Sequence, residues 1–183
     1  MSRYDKTPRT VKPLNPAALR ELAMAYVGRY ATSRARLTTY LNRKLYERGW
    51  TENEQAADIE TLVADFDRLG FVDDVAFAAA RARTLTARGM GLRRVSQELS
   101  LKGISEADGA DARDHAQENR WHSADRFARR KRIGPYATEM APPEVQQKQL
   151  QAFLRAGHDF DVARIFTRAE PGAHIDMPDD RIA

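Results

Sequence analysis

Apolar residues recur along this chain at intervals of three and four, the spacing of one face of an α-helix. The clearest run is Ile59, Leu62, Val63, Phe66 and Leu69, which is followed by Gly70. No segment of useful length alternates apolar and polar residues, as a half-buried strand would. The pattern therefore predicts an all-α protein.

Three glycines, Gly49, Gly103 and Gly157, stand at an equal interval of 54 residues. Each follows a helical pattern, and a bulky apolar residue lies four positions earlier in every case: Leu45, Leu99 and Phe153. A glycine after a helix can take the left-handed conformation that closes the last turn. The interval therefore predicts one helix end built three times, in tandem repeats.

Helix-start signals divide the first repeat into three helices. Asn15 before Pro16 is an N-cap followed by a proline at the first helical position. Ser33 can cap the second helix, and Thr51 with Glu54 has the spacing of a capping box for the third.

The later repeats carry weaker signals of the same kind. Ser105 with Asp108 resembles a capping box for the last helix of the second repeat. We expect the third repeat to begin near Ser123, to break at Gly134 and to resume at Pro143.

These signals predict three three-helix repeats between two tails. The repeats are expected at residues 16–70, 71–119 and 120–169. A flexible basic tail is expected at 1–15 and a second flexible tail at 170–183.

Charge is nearly balanced overall but is segregated by helix. The net charge is only +4, which does not by itself indicate a nucleic-acid partner. Residues 52–74 and 106–118 are acidic, whereas residues 33–50, 81–103 and 126–132 are basic. The candidate partner-binding residues are Arg34, Arg36, Arg43, Lys44, Arg48, Arg81, Arg88, Arg93, Arg94, Lys102, Arg129, Arg130 and Lys131. Such stripes fit an anionic partner, but they also fit ordinary solvated faces or repeats that dock through opposite charges.

Residue types that carry catalysis are scarce. The chain has no cysteine, and its four histidines are scattered. Gly89 and Gly91 suggest a helix end rather than a phosphate loop, because the lysine and hydroxyl residues of such a loop are missing. Asp73 and Asp74 suggest a helix N-terminus rather than a metal site. We therefore expect no enzyme activity, no metal and no cofactor.

Membrane association is not expected either. No apolar run approaches the roughly 20 residues needed to cross a bilayer, and the mean hydropathy is −0.64. The absence of cysteine is typical of a reducing compartment, so we expect a cytoplasmic protein.

An ordered set of short motifs resembles the RecX family over about residues 16–169. The strongest stretch is 70–105, which contains Gly70-Phe71-Val72-Asp73-Asp74, Gly89-Met90-Gly91-Leu92-Arg93-Arg94-Val95 and Leu101-Lys102-Gly103-Ile104-Ser105. With the repeat glycines, the motif residues are Gly49, Gly70, Phe71, Asp73, Asp74, Gly103 and Gly157. Arg155-Ala156-Gly157-His158 departs from the family's Arg-Arg-Gly-Phe, which puts the packing of the third repeat in question.

The resemblance implies an elongated, curved array of three-helix repeats, expected to be monomeric. It also implies binding in the groove of the RecA–single-stranded DNA filament, with weaker binding to single-stranded DNA possible. RecX proteins limit filament growth or promote disassembly, and thereby inhibit RecA in homologous recombination, DNA repair and the SOS response. Two alternatives stay open, namely a direct DNA-binding helical-repeat protein and a protein–protein adaptor.

Overall fold

The computed structural model describes residues 12–51 and 55–177, and these form nine α-helices and one short 3₁₀ turn. The helices are α1 (Pro16–Arg29), α2 (Arg34–Arg48), α3 (Ile59–Arg68), α4 (Asp74–Ala87), α5 (Leu92–Leu101), α6 (Ala110–Glu118), α7 (Arg120–Lys131), α8 (Pro143–Arg155) and α9 (Phe160–Arg168). Within those ranges the only β-type pairing is an isolated parallel bridge between Leu14 and Trp50. The predicted all-α fold is confirmed.

The chain divides into two compact units, residues 1–73 and 74–183. Buried apolar residues of the first unit form one cluster, which includes Leu37, Leu41 and Phe66. The second unit holds two clusters, centred on α4–α6 and on α7–α9. Both the second and the third predicted repeats therefore lie in the second unit.

The first two helices begin where the sequence predicts. The Asn15 side chain accepts a hydrogen bond of 2.8 Å from the Ala18 amide, and Pro16 occupies the first helical position. The Ser33 hydroxyl accepts a bond of 3.3 Å from the Arg36 amide at the start of α2. Each cap satisfies an amide that has no partner within its helix.

The predicted start of the third helix is wrong. α3 begins at Ile59, and its cap is Asp58, whose side chain accepts a bond of 2.9 Å from the Thr61 amide. That backbone hydrogen bond holds the pKa of Asp58 below its usual value. Thr51 instead donates its hydroxyl to the Leu14 carbonyl at 3.1 Å, and Glu54 lies outside the described residues. Thr51, which the local spacing assigned to a helix cap, therefore makes a long-range contact instead.

Two of the three repeat glycines close their helices in the same way. Gly103 has φ 72° and Gly157 has φ 90°. In each case the amide after the glycine bonds back to the carbonyl of the apolar residue four positions before it, Leu99 or Phe153, at 3.1 Å. This is the Schellman arrangement, which requires a left-handed residue.

Gly49 has positive φ as well, but it ends its helix differently. Its φ is 74° and its ψ is 176°, and its amide bonds to the Leu45 carbonyl at 2.8 Å. The chain then runs extended beside Leu14, whose amide donates to the Gly49 carbonyl at 2.9 Å. The expectation of one helix end built three times therefore holds for two repeats and is wrong for the first.

Helix starts in the second unit differ slightly from those predicted. The Asp108 amide donates to the Ser105 hydroxyl at 3.0 Å, but this pair closes a turn and α6 begins only at Ala110. α7 begins at Arg120 rather than near Ser123, because Asn119 ends α6 and starts α7. The 3₁₀ turn at Gly134–Tyr136 and the start of α8 at Pro143 agree with the proline and glycine signals.

Both predicted tails are described only in part. Leu14 belongs to the first cluster and is fully buried. Near the other end, the Gly172 amide donates to the Pro135 carbonyl at 2.9 Å, and Met177 packs against the α7–α9 cluster. These residues are therefore held by tertiary contacts, and residues 1–11 and 178–183 lie outside the described part.

Candidate partner-binding surfaces

Two backbone segments of the second unit lie so close together that Gly91 and Gly157 leave no room for a side chain. The Gly91 amide donates to the Ala156 carbonyl at 2.9 Å, and the Arg93 amide donates to the Gly157 carbonyl at 3.2 Å. A Cβ on Gly157 would lie 2.3 Å from the Arg94 nitrogen, and one on Gly91 would lie 2.3 Å from the Gly157 oxygen. The turn before α5 and the end of α8 therefore pack backbone to backbone.

His158 occupies the departure from the family pattern and lies in the core beside this junction. Its side chain is only 2% exposed and packs on the rings of Phe127 and Phe153. Its Nε2 is 3.1 Å from the Gly89 carbonyl, so this nitrogen carries the proton and donates. Burial lowers the pKa of His158 to about 4. The imidazole thus fills an aromatic position and also satisfies a buried carbonyl.

Two basic residues of α2 are engaged within the first unit. Arg34 pairs with Asp67 at 3.3 Å. Arg48 donates two hydrogen bonds to the Lys12 carbonyl, at 2.9 and 3.0 Å. These side chains attach α2 to its neighbours, which leaves less of their charge for a partner.

The other basic residues of α2 share an open groove between α1 and α2, of about 680 Å³. Its lining combines three tyrosines, four cationic side chains and two alanines, and none of these is acidic: Ala25, Tyr26, Arg29, Tyr30, Ala31, Arg36, Tyr40, Arg43 and Lys44. The sequence predicted the cations of α2 but missed Arg29 and the tyrosines. The spacing of Tyr26, on α1, and Tyr30, just after it and four positions later, was the available signal.

Glu98 binds two of the predicted cations of the second unit. Arg81 reaches it at 3.0 Å and Arg94 at 3.2 Å, and Arg94 also donates to Gln97 at 2.9 Å. The hydrogen bond from Arg81 is the main reason that the pKa of Glu98 lies below its usual value. Arg81 therefore links α4 to α5, whereas Arg94 is paired within α5.

Arg93 and Arg88 are more accessible. The Arg93 side chain is 72% exposed, and its Nε lies 4.0 Å from Asp159, the outer limit of an ion pair. Arg88 is exposed at the end of α4 and makes no ion pair with another described residue. Lys102 is half-buried at the end of α5.

The basic end of α7 also contains both engaged and exposed cations. Arg129 donates to the Tyr136 hydroxyl at 3.2 Å, and its guanidinium lies over that ring at 4.8 Å. Arg130 donates to the Arg88 carbonyl and so ties α7 to the end of α4. Lys131 is exposed and forms no ion pair with a described residue.

The remaining motif residues lie at the junction of α3 and α4. Gly70 has φ 75° and Phe71 is partly exposed, while Asp74 begins α4 and is buried. Asp73 is exposed just before that helix. Among the described residues, no three histidine, cysteine or acidic side chains are grouped to hold a metal ion. The two aspartates thus lie at a helix start, as the sequence predicts.

Comparison with known proteins decides the family. The chain is 32% identical over 174 residues to the regulatory protein RecX of Myxococcus xanthus, which covers 91% of this chain and 93% of that relative. The chain belongs to the RecX family. The RecX protein of Stenotrophomonas maltophilia is 35% identical over 133 residues, covering 72% of this chain and 76% of the relative. The RecX second three-helix domain matches residues 73–112.

Solved structures share the fold. The crystal structure of RecX from Lactobacillus salivarius aligns with a TM-score of 0.58 at 20% identity, over 82% of this chain and 92% of that one. A second RecX crystal structure gives 0.57 at 22% identity, over 82% and 71%. At these sequence identities the two structures establish a shared fold and assign no role to individual residues. In the part of the chain that the structure describes, no helix is both long and apolar enough to span a membrane.

Proposed function

We propose that this chain regulates RecA by binding the RecA–single-stranded DNA filament, where it limits filament growth or promotes disassembly. Its membership in the RecX family over nearly the whole length of a relative carries this proposal. The regulator acts by binding rather than by catalysis and works as a cytoplasmic monomer.

The exposed cations support an anionic partner such as this filament. Arg36, Arg88, Arg93 and Lys131 are exposed, and none has a close ion pair with a described residue. They lie in both units of the chain. Cations that are not neutralised internally attract phosphates and acidic protein surfaces. Of the cations predicted from sequence, these four are the strongest candidates for direct contacts.

Repeated contacts along a polymer would amplify weak individual contacts. One exposed ion pair contributes only about 0.2–1 kcal/mol. When several such contacts engage one polymer, the later ones form at high effective concentration, so avidity exceeds the affinity of each contact. Inhibition is therefore expected at concentrations too low to coat bare DNA.

The test measures ATP hydrolysis by RecA on single-stranded DNA in the presence of increasing amounts of this protein. Arg88→Glu/Arg93→Glu should raise the concentration for half-inhibition by about tenfold or more, as expected for two repelled contacts. Arg168→Glu, an exposed residue of α9 in the same unit, is the matched control and should inhibit like wild type. Circular dichroism confirms the fold.

One outcome would contradict the proposed contacts and another the proposed partner. A folded double variant that inhibits at the wild-type concentration would exclude Arg88 and Arg93 as contacts. Inhibition that begins only when bare DNA is saturated with protein would favour the alternative of direct DNA binding over filament recognition.

A further inference from the structure

We infer that the groove between α1 and α2 is a nucleotide-binding site that takes bases and phosphates of a single-stranded nucleic acid. The groove belongs to the first unit and all its lining residues lie between positions 25 and 44. Its volume of about 680 Å³ is within the range of small-ligand sites. This inference deepens the proposed function, because the RecA filament presents single-stranded DNA.

The tyrosines form a continuous row across the two helices. Tyr40 of α2 stacks on Tyr26 of α1, with ring centroids 4.2 Å apart and an interplanar angle of 17°. Tyr30 follows at 5.3 Å from Tyr26, tilted by 51°. Tyr30 is 51% exposed, so the row ends in a ring that is open to solvent. An exposed aromatic ring beside an existing stack is a platform on which a base can continue that stack.

Four cations line the same groove as this row. Arg29 and Arg36 line the groove and form no ion pair with a described residue. The Arg43 guanidinium lies 5.7 Å from the centre of the Tyr40 ring, and the Lys44 ammonium lies 6.0 Å from it. The groove therefore offers flat rings for bases and positive groups for the phosphates.

This combination favours a nucleic acid over an acidic peptide. A peptide carboxylate needs only the cations, and aromatic faces add little to its binding. Bases gain from stacking on aromatic rings in a sequence-tolerant way, while the backbone follows the positive charge. The open shape suits a single strand, because a paired base does not expose its face.

Glu47 restrains the charge at one end of the groove. Its carboxylate pairs with Lys44 and lies 3.6 Å from Arg43. The hydrogen bond from Lys44 is the main cause that lowers the pKa of Glu47, so the carboxylate stays ionised and competes with phosphates. Glu47→Gln should therefore tighten binding by about two- to fivefold, as expected for one released exposed pair.

Fluorescence anisotropy of the full chain with a labelled oligothymidylate of about 20 nucleotides tests the site. Tyr30→Ala should weaken binding at least about fivefold, the lower value for one lost base stack, whereas Tyr30→Trp should retain it. Arg29→Ala/Arg36→Ala should weaken binding and reduce the salt dependence by about 1.4 units of slope, the value for two phosphate contacts on a single strand. Tyr46→Ala is the matched control, since Tyr46 lies on α2, is 92% exposed and does not line the groove.

An abasic strand of the same length separates stacking from charge. It keeps every phosphate but has no bases to stack. Wild type should therefore bind it more weakly than oligothymidylate, and Tyr30→Ala should not change its binding. Equal binding of the two strands, or preferential binding of polyglutamate, would overturn the inference. RecA is absent from this assay. A negative result in this assay would therefore refute the nucleotide site and leave the proposed inhibition of RecA, which is measured separately, untouched.

Discussion

The replacement of an aromatic residue by His158 shows how one side chain can combine packing and polarity. The imidazole contacts Phe127 and Phe153 as an aromatic ring would, but it also donates to the Gly89 carbonyl. Phenylalanine at this position could make the ring contacts and would leave that carbonyl without its donor. The departure from the family pattern therefore preserves the packing and adds a hydrogen bond.

His158 should make the free energy of unfolding depend on pH. Its pKa falls from 6.5 to about 4 on folding, so between these values the unfolded chain binds more protons than the native one. The contribution is complete above about pH 6.5 and is lost as the pH falls towards 4, with a slope approaching about 1.4 kcal/mol per unit. Urea unfolding of wild type and His158→Phe at several pH values isolates the contribution of His158 to the free energy of unfolding.

The histidine control is His122→Gln, because His122 is exposed on α7. Its unfolding free energy should follow the wild-type pH profile. If His158→Phe has the same profile as wild type between pH 4 and 6.5, protonation of His158 does not oppose folding.

Gly157 is required for two reasons, its positive φ and its neighbours. Alanine there would strain a φ of 90° and place a Cβ 2.3 Å from the Arg94 nitrogen. We expect Gly157→Ala to lower the free energy of unfolding by about 2 kcal/mol or more. Gly172→Ala, with φ 76° and open space around its Cβ, should cost only about 1 kcal/mol. Denaturant melts compare the two, and equal losses would mean that the close approach is relaxed at little cost.

At the scale of single helices, local signals succeed where the partner atoms are close in sequence. Asn15 and Ser33 cap amides three positions later, so nothing distant competes with them. Thr51 has the right spacing for a capping box, yet its hydroxyl bonds to Leu14. The parallel bridge between Leu14 and Trp50 places that carbonyl within reach, which no local pattern reveals.

The Asn15 cap offers a direct test at this scale. Asn15→Ala should lower the free energy of unfolding by about 1 kcal/mol, because the Ala18 amide loses its acceptor. Asn15→Asp keeps an acceptor oxygen at the helix N-terminus and should stay close to wild type. Thermal and urea melts of the three proteins decide this. An alanine variant as stable as the aspartate variant would show that the cap contributes nothing.

At the scale of the molecule, the second and third predicted repeats share one unit. Amides at the start of α5 donate to the carbonyls of Ala156 and Gly157 at the end of α8. Arg130 of α7 donates to the Arg88 carbonyl after α4, and His158 donates to the Gly89 carbonyl. These bonds cross the boundary predicted near residue 119. We therefore expect residues 74–169 to unfold cooperatively rather than as two independent repeats.

Hydrogen exchange of a Phe153→Ala variant tests this cooperativity. Phe153 is fully buried in the α7–α9 cluster, and its truncation should cost about 3–5 kcal/mol. Amide exchange should then accelerate in α4–α6 as well as in α7–α9. Leu101→Ala, which removes an exposed side chain of α5, should leave exchange in both regions near wild type. Acceleration confined to residues 120–169 would show that the two repeats unfold independently.

Helix identity, the first caps and the glycine helix ends follow from the sequence because they depend on periodicity and on backbone φ over a few residues. The family also follows, since its motifs survive in order. Tertiary structure alone decided which cations remain exposed, because Glu98, Asp67 and the Lys12 carbonyl engage partners far along the chain. It likewise assembled the tyrosine row from two helices. The sequence shows which residues are charged or aromatic. Which of them pair and which stay exposed depends on contacts that only the folded chain creates.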